Sequence, residues 1–324
     1  MSWTSRADET LRMLLENMVA EGVLAKSIGL DATPAQIVGA SREMLLDVIR
    51  SSLPLAHIMD ESDLVLHAEG PAVRDASPRL AAVNWLTSTA EATIRKLSSS
   101  LFDLADRDAK RLSGALDLRL TGFARGSLYT GLALAAPSPG LFSQEDEPVV
   151  TTVRKAIRNL PVVSRYIRDE DIDPEIAEIV PDPAQRDTSL SALLMLSPTG
   201  RRGIHSVDIT SPGEHSSNLS QRERVVLREV IKNPLLQQRK EGSFVGEIRE
   251  IDLDSHRFHL RNVTGVGNIR CVLATLDPTQ AKIFLGESVR VNGEYECNHG
   301  GRPRLMLVRR IEVVPRPTQT EFPA

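Results

Sequence analysis

The sequence predicts an α+β protein, a mixed helical and antiparallel-sheet body followed by a small five-stranded β-barrel. Three observations carry that prediction. An apolar stripe at three- and four-residue spacing runs unbroken through residues 78–110. Two alternating runs flank a glycine-bounded connection within residues 115–136, the pattern of a β-hairpin. Beyond Gly242, helical spacing gives way to alternation almost to the C-terminus.

The first helix is expected over 6–24, where Leu11, Leu14, Leu15, Met18, Val19 and Val23 recur at helical spacing. Thr33 caps a second helix over 34–52, with Pro34 at its first position and Ile37, Met44, Leu45, Val48 and Ile49 along it. The short run at 63–70, DLVLHAEG, is rich in β-formers and closed by Gly70 and Pro71, so it reads as a strand. The long helix at 78–110 carries Leu80, Val83, Leu86, Ala90, Ile94, Leu97, Leu101 and Leu104 on its stripe, which marks it as core. In the hairpin, Gly131, Ala133 and Ala135 line one face of the second strand, small enough for a helix to approach closely.

Further helices fit 148–159, 174–180 and 183–196, the last two opened by Asp173–Pro174 and Asp182–Pro183. A strand fits 203–210 and a polar linker 211–218. Ser220 then caps a helix over 221–232 with Glu223 as its capping-box partner. These elements assign a body to 1–236, a barrel to 243–315 and a proline-rich, frayed tail to 316–324, a division that suits a chain of 324 residues.

In the C-terminal module, strands are expected from Phe244, at 256–261 and at 269–274. A short helix over 278–284 comes next, then strands over 288–295 and 305–314 around the turn NHGGRPR at 298–304. Three strands, a short helix and two strands make the order of an OB-like barrel, which the module resembles in pattern; SH3-like and other small barrels fit nearly as well. The OB resemblance implies that nucleic-acid binding is among the expectations. Arg257, His259 and Arg261 share a strand face, Arg270 follows nearby, and Arg302 and Arg304 sit at the last hairpin, so these six are the candidate nucleic-acid-binding residues. Acidic residues interleave with them and leave the module near neutral, which suits an ordinary solvated surface equally well. Phe244, Phe258, Phe284 and Tyr295 offer rings for base stacking, but the apolar context of three of them favours core packing.

The composition excludes several classes. Formal net charge is −4, so no global charge draws the chain to nucleic acid or an anionic membrane. Residues 1–20 hold Asp8, Glu9 and Glu16 without a continuous apolar core, which argues against a signal peptide. The longest apolar runs fall short of the roughly 18 residues of a membrane span. With Cys271 and Cys297 as the only cysteines, a cytoplasmic protein is expected.

Three stretches invite chemistry. Cys271, Cys297 and His299 lack a fourth ligand at any zinc spacing, so no metal is expected there, and no cofactor is implied elsewhere. RDEDIDPEIAE at 168–178 is a run of carboxylates before a helix, which more often caps and solvates than binds a metal. In SPTGRRGIHS at 197–206, Arg201 and Arg202 stand between two glycines with His205 just after, an anion-binding candidate that does not match a phosphate-binding P-loop. The expectation is a non-enzymatic accessory protein that binds single-stranded nucleic acid or a protein partner through its barrel, in a nucleic-acid-processing, toxin-neutralising or defence system. The alternative is an enzyme with a site between body and barrel near Arg201, Arg202 and His205.

Overall fold

The computed structural model describes residues 3–52, 54–74, 77–101, 116–124, 128–135, 147–253, 255–273 and 277–314. Helix α1 (Trp3–Ser27) packs against α3 (Gly39–Ser52), with the one-turn α2 (Pro34–Ile37) between them. Thr33 caps α2 as expected, its hydroxyl accepting from the Gln36 N–H while its own N–H donates to Gln36 Oε1. The expected helix over 34–52 is thus two helices that part at Val38, whose backbone leaves helical geometry at φ −96° and ψ 9°. A fourth helix, α4 (Pro54–Glu61), was not anticipated.

Strand β1 (Leu64–Glu69) follows, then α5 (Leu80–Leu101). Leu86, Ala90, Ile94 and Leu97 of α5 are buried, each large side chain contributing about 2 kcal/mol from lost apolar exposure. Leu80 departs from the expected stripe. It starts the helix and stands 82% exposed, while Leu104 lies outside the described residues. The hairpin is β2 (Leu118–Ala124) and β3 (Leu128–Leu134), with β2 running on past a register shift between Leu120 and Gly122 into the expected connection at 122–126 as far as Ala124.

Helices α6 (Glu147–Arg158), α7 (Leu160–Ser164), α8 (Ile176–Ile179) and α9 (Pro183–Leu196) lead to β4 (Ser206–Thr210), β5 (Ser217–Ser220) and α10 (Gln221–Lys232). β5 occupies part of the expected linker. Its polar residues pair with β4 at the sheet edge, a contact that polar composition does not signal. Ser220 and Glu223 close the expected capping box on α10.

The body sheet is antiparallel in the order β2-β3-β1-β4-β5. One face carries Leu64, Leu66, Ala68, Leu132, Val207, Ile209 and Leu219 into the main core with α5, α6, α9 and α10. On the other face, α4 covers β2 and β3. A Cβ on Gly131 would lie 2.6 Å from the Ile58 side chain and 2.3 Å from Ser62 Oγ, so that glycine is what lets α4 come down.

The C-terminal strands β6 (Lys240–Asp252), β7 (Arg257–Val263), β8 (Gly267–Val272), β9 (Ser288–Cys297) and β10 (Pro303–Val313) close in the order β10-β8-β7-β6-β9, with α11 (Pro278–Phe284) between β8 and β9. β10 pairs with β8 in parallel and every other pairing is antiparallel. This is a five-stranded barrel of OB-like order, and the chain is α+β. Ile248, Phe258, Leu260, Ile269, Cys271, Val289, Val291, Met306 and Val308 fill it. Phe244, Phe284 and Tyr295 pack onto that core, Phe244 and Tyr295 edge to face, so the four aromatics serve packing. Among the described residues, no helix is long and apolar enough to cross a membrane.

Candidate functional site

The barrel's basic face forms where the sequence placed it, but it is not open. Alternation along β7 turns Arg257, His259 and Arg261 outward, and antiparallel pairing sets His259 opposite Arg270 on β8. Helix α9 of the body lies on this face. Its Asp187 receives Arg257 Nε at 2.8 Å and Arg270 Nε at 2.6 Å, and Arg257 Nη2 reaches the other carboxylate oxygen. All three side chains are at most 6% exposed. Burial alone would push the Asp187 carboxyl up, but the two guanidinium groups hold it well below the usual carboxylate range.

The contact continues on both sides. Asp182 caps α9 with one carboxylate oxygen, which accepts from the N–H groups of Ala184 and Gln185, and takes Arg304 Nε on the other at 3.0 Å. Arg186, 1% exposed, donates to Glu296 Oε2 at 2.7 Å and to the Leu235 carbonyl. Lys96 on α5 meets Asp252 at the end of β6 at 2.6 Å. Burial opposes that Asp252 charge, yet the hydrogen bonds from Lys96 and Ser255 bring its carboxyl down to about 2. Leu236, Val272 and Leu305 add an apolar contact.

Of the six residues nominated for nucleic acid, Arg257, Arg261 and Arg270 are therefore buried and Arg304 is engaged by Asp182. Burial, with Arg270, Arg261 and Arg304 nearby, pushes the His259 imidazole down to about 3, which keeps it neutral at pH 7. Arg302 sits half-buried in the turn before β10, its N–H donated to Asn298 Oδ1. Where a phosphate would sit against Arg257 and Arg270, Asp187 sits instead. A sequence signal was available: Arg186 and Asp187, with Asp182 at the cap, carry charge in a helix made mostly of small and apolar residues, and the structure buries that helix along almost its whole length.

The loop with Arg201, Arg202 and His205 belongs to the body. Gly200 and Gly203 take φ of +76° and +71°, which turns the chain so that the Gly203 carbonyl accepts from Ala72 N–H and His205 N–H reaches the Glu69 carbonyl. All three candidate anion-binding side chains are exposed, and the loop meets Glu69, Gly70, Ala72 and Gln221 of the body. Cys271 is buried in the barrel core, where burial raises its thiol far above the ordinary range, and Cys297 is half-buried on β9. In the 168–178 run, Asp173 pairs with Arg168 and accepts from the Glu175 N–H, a local turn rather than a convergent site.

A second polar cluster was not anticipated. On the sheet face away from the core, pairing sets Tyr129, His67, Asp208 and Asn218 directly opposite one another on β3, β1, β4 and β5. The His67 ring stacks on Tyr129 at 3.9 Å with planes 3° apart, and its Nδ1 lies 3.0 Å from Asp208 Oδ2. Asn218 Nδ2 donates to Asp208 Oδ1 at 2.6 Å. Glu69, two residues along β1 and so on the same face, brings Oε1 to 3.8 Å from His67 Nε2. His67 and Glu69 at alternate positions of a short strand were the local signal, but Asp208 is 141 residues away in sequence.

No family model matches the chain, and no curated protein matches it. Among solved structures, the chain is similar to that of the hypothetical protein ygiW from E. coli, at 18% identity over 26% of this chain and 85% of that one, with a TM-score of 0.18.

Proposed function

We propose that this chain is a non-enzymatic accessory protein that recognises a protein partner. Its barrel is braced to the body, and the α1–α3 pair offers the recognition surface. The observation that carries this reading is the filling of the barrel's basic face by α9, which leaves Arg257 and Arg270 committed to Asp187. Several outward charges of the barrel pair in alternating sign, such as Arg309 with Glu241 and Arg310 with Glu312, an arrangement that does not favour a phosphate chain. By contrast, α1 turns Leu14 and Ala25 onto its neighbours and leaves Leu15, Val19 and Val23 exposed at four-residue steps, with Met44 exposed on α3. An apolar stripe of that spacing fits an amphipathic helix of a partner.

A photoreactive residue at Val19 tests this in cells. The expected result is a protein adduct that is lost when Leu15 and Val23 are both replaced by Glu. Fluorescence anisotropy with a labelled single-stranded oligonucleotide is the counter-test. Saturable binding at low salt that weakens steeply with added salt overturns the reading in favour of nucleic acid.

A further inference from the structure

We propose that His67, Glu69 and Asp208 form a binding site for a divalent transition-metal ion of the zinc class. One ligand atom from each of the three lies within 4.8 Å of the others. In a tetrahedral shell with bonds of about 2.0–2.2 Å, ligand atoms stand roughly 3.4 Å apart, so closing the site needs shifts of about an ångström. Those shifts fall on the group free to make them. The His67 ring is held by its stack on Tyr129 and Asp208 by Asn218, whereas the Glu69 side chain is 57% exposed.

The donor set selects the ion. An imidazole with two carboxylates is a mixed nitrogen and oxygen set, suited to Zn2+ and its first-row neighbours. Ca2+ and Mg2+ favour all-oxygen shells with more ligands or retained water. Two carboxylates also match the charge of a divalent cation, since a metal-ligating imidazole is neutral. On binding, the hydrogen bond between Nδ1 and Asp208 gives way to coordination by one ring nitrogen and one oxygen from each carboxylate. With three protein ligands and Glu69 at the solvent edge, a fourth position stays open to water.

The arrangement is built into the sheet. Residues 67 and 208 are a register pair of β1 and β4, and Glu69 follows on the same face of β1. All three ligands therefore ride on hydrogen-bonded strands, with Tyr129 and Asn218 as positioning residues from the strands on either side.

Isothermal titration of the untagged, chelator-stripped full chain with ZnCl2 tests the site, with Co2+ absorption as a report of tetrahedral coordination. One ion per chain is expected, with a rise in melting temperature on saturation, because an ion that binds only the folded state stabilises it. Glu69→Gln changes an exposed side chain and should weaken binding about tenfold or more, and His67→Gln should abolish it. His205→Ala, beside the site, should leave the affinity unchanged. The proposal is overturned by the absence of saturable binding, by tighter binding of Mg2+ or Ca2+, or by an affinity that Glu69→Gln leaves intact. That last readout stands even if His67→Gln fails to fold.

Discussion

In the Asp187 cluster one carboxylate meets two guanidinium groups and none of the three side chains exceeds 6% exposure. In the His67 cluster two carboxylates flank one imidazole, and Glu69 is 57% exposed. Both join parts of the chain distant in sequence, and both lie on the outward face of a five-stranded sheet. Charge balance and access to water set them apart. Inside the first, cations exceed anions and every group is dry, so the network has no room for a ligand and its removal leaves buried charge. In the second, negative charge exceeds positive and one side is wet, so a cation can enter without unfolding anything. A polar cluster acts as a brace when burial closes it to any ligand, and as a site when an excess of one charge still faces water.

Asp187→Ala should have the largest effect. That change leaves Arg257 and Arg270 buried without their carboxylate and should cost about 3–5 kcal/mol in urea unfolding. A loss below about 1 kcal/mol would remove the brace from the account. Replacing the trio together, with Asp187→Leu, Arg257→Met and Arg270→Leu, should recover much of the loss, because the desolvation of all three charges disappears with them.

Acidification should act on the same interface. The folded-state pKa of His259 is depressed to about 3 from 6.5, so between those values the unfolded chain binds a proton that the native state refuses. Stability therefore falls as pH drops through that window, by at most about 1.4 kcal/mol per pH unit. His259→Gln should flatten the slope between pH 6.5 and 3. The loss tied to Asp187 comes at lower pH, because its carboxyl is depressed and must be protonated. An unchanged slope would show that His259 is solvated rather than enclosed.

On the open sheet, Asp208→Ala should cost only about 1 kcal/mol, since it removes half-exposed hydrogen bonds to His67 and Asn218 and strands no buried charge. A loss as large as that of Asp187→Ala would make the two clusters alike. Smallest of all should be Arg309→Ala. Arg309 is itself 59% exposed in its pairs with Glu241 and Glu294, and the melting temperature should shift by less than the equivalent of about 0.5 kcal/mol.

Much of the secondary structure was legible because its causes lie within a few residues. Pro183 with Asp182 before it fixes the start of α9, Ser220 with Glu223 that of α10, and alternation from Arg257 to Val263 marks β7. The strand and helix order of the C-terminal module likewise pointed to the barrel. Local causes also explain what was missed. The break between α2 and α3 falls inside a continuous helical pattern, and β5 has no alternating apolar run of its own.

The order of most elements, and the side of each strand on which a residue lies, follow from the sequence: Arg257, His259 and Arg261 had to share one face, as did His67 and Glu69. Only the tertiary structure decided what each face meets. Asp187 reaches Arg257 across 70 residues of chain and Asp208 reaches His67 across 141, through a helix docking and a strand register respectively. The physical reason is that periodicity and capping act over one or two turns of chain, whereas burial and charge pairing depend on which surfaces the whole core brings together.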